Sequence, residues 1–127
     1  MGIVGTAAEL VLLEHWEDPW QYTPLVVLGL GTLVTIFRAL SPRPWNLRAL
    51  RWSMAIFVAA GMLGLNRHYI GNVEFELEIY PSMVGFELFW KAITGATPAL
   101  APGALVLLGL IGLASAHGDG QLNELRD

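Results

Sequence analysis

The chain has 127 residues, 54% of them hydrophobic and 14% charged, with a formal net charge of −4 and a mean hydropathy of +0.53. An average soluble domain carries about 25% charged residues, and a chain this short cannot hide so much apolar surface from water, so the expectation is a single all-α membrane domain over residues 1–127. Having no cysteine excludes disulfides, thiolate metal centres, iron–sulfur clusters and thiol nucleophiles, and the acidic balance leaves no basic stripe to neutralise phosphates, which excludes nucleic acid as a partner.

The start, MGIVGTAAELVLLE, lacks a basic n-region and a small-residue cleavage site, so it is expected to belong to the mature chain. Residues 5–19 place Leu10, Leu13 and Trp16 at helical spacing, with Glu9, Glu14 and Glu17 elsewhere. That pattern predicts a short helix lying in the membrane interface, apolar side down.

A first transmembrane helix is expected over 23–40. Thr23-Pro24 offers an N-cap followed by a proline at the first helical position, where its missing N–H has no cost. The following loop, RALSPRPWNLRALR, holds Arg38, Arg43, Arg48 and Arg51 without an acid. By the positive-inside rule it faces the cytoplasm, as does the C-terminus, while the N-terminus and residues 66–96 face outward from an inner or plasma membrane. A second span is expected over 46–66, with Arg51 snorkelling to the headgroups.

In NVEFELEIYPS, Val73, Phe75, Leu77 and Ile79 alternate with Glu74, Glu76 and Glu78. Period two predicts an extended or irregular segment over 72–80, ended by Pro81. The alternative is a helix continuing from the second span, with Glu74 and Glu78 on one face. Residues 82–94 predict a second interfacial helix, with Ser82 as N-cap and Glu87 paired to Lys91 at i,i+4. A third span is expected over 97–116, opened by Thr97-Pro98, with Pro102 bending its start or leaving a carbonyl accessible. Residues 117–127 read as a polar tail. Trp16, Trp20, Tyr22, Tyr69, Tyr80 and Trp90 would form an outer aromatic belt, and Trp45 and Trp52 an inner one.

A shift of 74 residues aligns Trp16 with Trp90, Thr23 with Thr97, Pro24 with Pro98 and Gly29 with Gly103. Shared physics of membrane entry explains these identities better than duplication does.

Hydrolase nucleophile arrangements, phosphate-cradling loops and dinucleotide fingerprints are missing from the sequence, so no catalytic residue is expected. No span interior carries an ionisable side chain, which counts against a pump or coupled transporter. One ionisable cluster lies on the outer side. Glu14, His15 and His68 offer imidazole and carboxylate ligands of the type that suits zinc, iron or manganese. No HxxxH or HExxH spacing fixes two imidazoles on one helix face, so a metal is not the leading expectation. Glu17, Asp18, Glu74, Glu76 and Glu78, with Trp16 and Trp20, suit docking on a partner's basic surface. Ala60-x-x-x-Gly64 is a small-xxx-small pair for close helix contact, within the chain or with another subunit.

These features predict a structural or accessory subunit of a larger membrane complex, in contact with lipid, quinone or pigment only passively. Energy-converting complexes, respiratory or photosynthetic, are expected by class frequency alone. The alternative is a small metal- or ligand-binding membrane protein that uses the outer histidines and carboxylates.

Overall fold

Backbone groups without water must be satisfied within their own segment, and helices do this best. Every element the structure contains among its described residues is helical: α1 Gly2–Leu12, α2 Tyr22–Leu40, α3 Pro44–Ile79, α4 Gly85–Ile93 and α5 Leu100–Glu124. This structure, a computed structural model, describes residues 2–12, 22–95 and 100–124; of Glu9 and residues 119–124 it describes the backbone alone. Three of its helices are long and apolar enough to cross a membrane: Tyr22–Leu40, Pro44–Ile79 and the Leu100–Gly118 part of α5. Hydroxyls in the apolar helices return to their own backbone. Thr32 donates to the Leu28 carbonyl and Thr35 to that of Gly31, and Thr6 and Ser115 do the same one turn back in α1 and α5.

The centre of the molecule is the antiparallel contact of α3 with α5. Facing positions step along both helices: Gly64 on Pro102, Gly61 on Val106, Val58 on Gly109 and Met54 on Gly112. The last step is polar, with Arg51 Nη2 donating to the Ala116 carbonyl at 3.0 Å. Arg51, expected to reach for headgroups, ties α3 to α5 instead. Gly61 and Gly109 each bring backbone of the two helices close together. Pro102 is buried in the first turn of α5, where its missing N–H is no loss, and its ring covers Gly64.

On the other side of α3, the Phe57 ring lies over Gly31 of α2. Phe57, Met54, Leu28, Leu105 and Leu10 form the core cluster. Leu10 belongs to α1, which contacts α2 and α5, with Gly2 against the Leu108 side chain. Of the predicted apolar stripe, Leu10 therefore packs on protein, at 1% exposed, while Val4, Val11 and Leu12 of α1 stay exposed and Leu13 and Trp16 lie outside the described residues.

Four further expectations change. The segment 72–80 is helical: α3 runs unbroken for 36 residues, about 54 Å at the standard rise. A formed helix elongates at little cost, whereas a lone strand would leave its backbone unpaired. Burial follows the helical period, with Asn72 and Glu76 buried and Phe75 and Ile79 exposed. The helix stops where Pro81 disfavours helical geometry at Tyr80, whose N–H still reaches the Glu76 carbonyl at 2.8 Å. The N-cap of α4 is Val84, without a side-chain cap, and not Ser82; Gly85 takes φ +69° to turn the chain into the helix. Helix α2 already includes Tyr22 and Thr23, so Thr23 lies in the first turn and not at the cap. The expected tail from 117 is the continuation of α5 to Glu124. Thr97-Pro98 and residues 13–21 lie outside the described residues.

The α2–α3 turn is held by Asn46, which is 2% exposed. Its Nδ2 donates to the carbonyls of Ser41 and Phe37, while its Oδ1 is buried without a partner. Asn46→Ala is expected to cost about 1 kcal/mol and not the upper end of the range for a buried polar group, because it removes an orphaned acceptor together with the donor. Denaturant titration in mild detergent reads the loss, and hydrogen exchange should quicken at 41–47.

Candidate functional site

Past Asn66 the apolar run of α3 ends at Arg67, yet the helix goes on to Ile79, about 19 Å further. On this projecting part His68, Asn72 and Glu76 follow one another at i,i+4 spacing and so share a stripe. His68 is half-buried, and Asn72 and Glu76 are buried at 4% and 9% exposure. Helix α4 packs against α3. Asn72 Nδ2 donates to the Ala92 carbonyl at 2.9 Å, across a buried contact. A helix of nine residues cannot hold itself together in isolation, and its last carbonyls have no partner inside it. Asn72 supplies one, and Gly95 lets the chain pass close by: a Cβ there would lie 2.8 Å from the Asn72 side-chain carbon.

Between α3 and α4 runs a groove of about 480 Å³, within the usual range of about 300–1,000 Å³ for ligand sites. Met62 and Leu65 lie toward the apolar run, Asn66, His68 and Tyr69 toward the charged part, and Ile93 closes it from α4. Beside it stands an aromatic cluster. Tyr69 and Phe89 have ring centroids 6.2 Å apart, and Phe86 lies 6.2 Å from both Phe89 and Trp90, stacked on the latter at 24°. These rings are substantially exposed, up to 76% for Phe86.

Of the proposed metal ligands, His68 lines this groove, while Glu14 and His15 lie outside the described residues. Among the described residues no group of three or more histidines and carboxylates converges as a metal site would. Of the proposed contact residues, Glu17, Asp18, Trp16 and Trp20 also lie outside the described residues. Glu74 and Glu78 are exposed on α3, one turn apart, whereas Glu76 is turned inward. Ala60 is half-buried, and Gly64 is already occupied by Pro102. Sequence reasoning missed Asn66 and Asn72. The i,i+4 spacing of Asn72 between His68 and Glu76 was the available signal, masked by the stronger alternation of glutamates with apolar residues. The arrangement is suited to binding: the end toward the apolar run is wholly apolar, and the other mixes polar side chains with Ala92 and Ile93.

Compared with protein-family models, curated proteins and solved structures, the chain matches none.

Proposed function

We propose that this chain is a small accessory subunit of a larger membrane complex, anchored by α2, α3 and α5 and docked through the projecting end of α3. The observation that carries the reading is the continuation of α3 past the apolar run as one rigid helix with Glu74 and Glu78 on its exposed face. Phe75 and Ile79 stand exposed beside them, at 47% and 51%. Acids flanked by exposed apolar side chains suit a partner surface that is basic and partly apolar.

The membrane anchor has its own support. The chain exposes 8811 Å², against about 6,700 Å² for a compact soluble protein of 13.9 kDa. Only 11%, 17% and 22% of the three candidate spans is buried within the chain, and Leu30, Leu33, Trp52, Ile56, Leu107 and Ile111 all face outward. Lipid or other subunits are the natural cover for such a surface. In this reading the arginine loop faces the cytoplasm, and the α4 side, with Tyr69, Tyr80 and Trp90 at its boundary, faces outward. Energy-converting complexes are the first class to examine.

Gentle-detergent extraction from native membranes, followed by a native gel and mass spectrometry, tests the proposal. Larger membrane subunits in fixed stoichiometry are expected beside this chain. The double variant Glu74→Lys/Glu78→Lys should lose at least tenfold of that association while its helicity is unchanged. Migration of the wild-type chain alone, or partner retention unaffected by the charge reversal, would overturn the docking role.

A further inference from the structure

The groove between α3 and α4 divides by polarity at the level where α3 passes from its apolar run to its charged end. Met62 and Leu65 lie below this level, Asn66, His68 and Tyr69 at or above it, and Asn72 with Ala92 and Ile93 of α4 higher still. Asn66 carries an amide and Tyr69 a hydroxyl, neither with a hydrogen-bond partner among the described residues, so both offer donors at the mouth. The Asn72 amide, by contrast, is engaged with the Ala92 carbonyl and shapes the floor.

A ligand for this groove needs hydrogen-bond acceptors above a hydrocarbon tail, and must be present at the boundary of the apolar zone. We propose that the groove is a binding site for a diacyl phospholipid, seated by its glycerol-ester region. One acyl chain lies along Met62 and Leu65, ester carbonyls accept from Asn66 and Tyr69, and the glycerol side passes Ala92 and Ile93 at the level of Asn72. Ester carbonyls sit at the foot of the headgroup layer, which is the depth at which α3 changes from apolar to charged. The headgroup projects beyond the groove and contributes little to selection. The inference rests on the spans crossing a bilayer and not on the accessory role.

The test is native mass spectrometry of the purified wild-type chain, released from detergent after incubation with dioleoyl phosphatidylcholine. Parallel arms use dioleoyl phosphatidylglycerol and the diether analogue of the choline lipid, which keeps the chains but lacks both ester carbonyls. One retained lipid per chain is expected, equally for the two ester lipids and at least about tenfold less for the diether, which loses both hydrogen bonds. Ile93→Trp fills the trough from a half-exposed position and should abolish retention. Asn66→Leu combined with Tyr69→Phe, which removes both donors, should erase the distinction between ester and ether without unfolding the chain, as circular dichroism verifies. Equal retention of the diether by the wild type, undiminished retention by Ile93→Trp, or displacement of the phospholipid by a short-tailed quinone at equimolar concentration would each overturn the assignment. Because the chain is tested alone, these outcomes are independent of whether it docks in a complex.

Discussion

Gly61→Ala and Gly109→Ala are each expected to prise α3 from α5. A Cβ on Gly61 would lie 2.7 Å from the Pro102 carbonyl oxygen and 2.8 Å from the Val106 nitrogen. On Gly109 it would lie 2.7 Å from the Met54 carbonyl oxygen and 2.9 Å from the Val58 nitrogen. These neighbours are backbone, so no rotamer change relieves the clash and the helices must separate. In an apolar environment, contact between closely approaching helices is itself the main attraction, so separation also forfeits what holds the pair. Each substitution should lose about 1–3 kcal/mol, the range for overpacking a close contact. The double variant should exceed either single one without being their sum, since both act on one interface.

Controls come from the same molecule. At Gly112 the obstacle is the Met54 side chain, which can swing aside, so Gly112→Ala should be mild. Gly29 and Gly103 have nothing within 4 Å of a built Cβ. Alanine there should be neutral or stabilising by up to about 1 kcal/mol from helix propensity. Titration with sodium dodecyl sulfate from mild micelles, followed by circular dichroism, ranks the series. Equal stability of the Gly61→Ala and Gly103→Ala variants would show that the crossing is not as close as described.

Asn72→Leu should release α4 and leave the spans folded. The substitution keeps the volume but orphans the buried Ala92 carbonyl, at a cost of about 1–3 kcal/mol. Nine residues have no reserve of their own to meet that loss. Hydrogen exchange over 85–95 should therefore accelerate by about 5- to 150-fold, the same free energy expressed as an opening equilibrium. Exchange in 50–62, deep in the α3–α5 contact, should be unchanged. Uniform acceleration along the chain would mean that Asn72 supports the whole bundle and not α4 in particular.

Three apolar helices, their order and the location of their polar ends could be read in the sequence, because long charge-free runs leave the backbone no alternative to a helix and the arginine loop marks one end. The fate of 72–80 could not. Three glutamates alternating with apolar residues carry a clear period-two signal, and only the continuity of α3 with a helix already formed, together with the cover that α4 provides, overrode it. The same limit applied to Leu10. An apolar helix stripe reads alike whether it lies on lipid or on protein, and the core of α2, α3 and α5 supplied the protein. Arg51 looked like a snorkelling side chain until α5 brought the Ala116 carbonyl within 3.0 Å.

The candidate site was legible only in part. The acidic character of the projecting end was plain from composition, but which acids face outward depends on helical phase, and phase places Glu74 and Glu78 outside and Glu76 within. The groove itself belongs to no single segment. Its walls come from two helices that meet because Asn72 reaches one carbonyl and Gly95 leaves room for the approach. Hydrophobicity, which is local and additive along the chain, settled by sequence alone that this protein has three helices fit to cross a bilayer. Which small residues face each other, which carboxylates are exposed and where a cavity opens were decided only in the tertiary structure, because those properties depend on contacts between segments far apart in the chain.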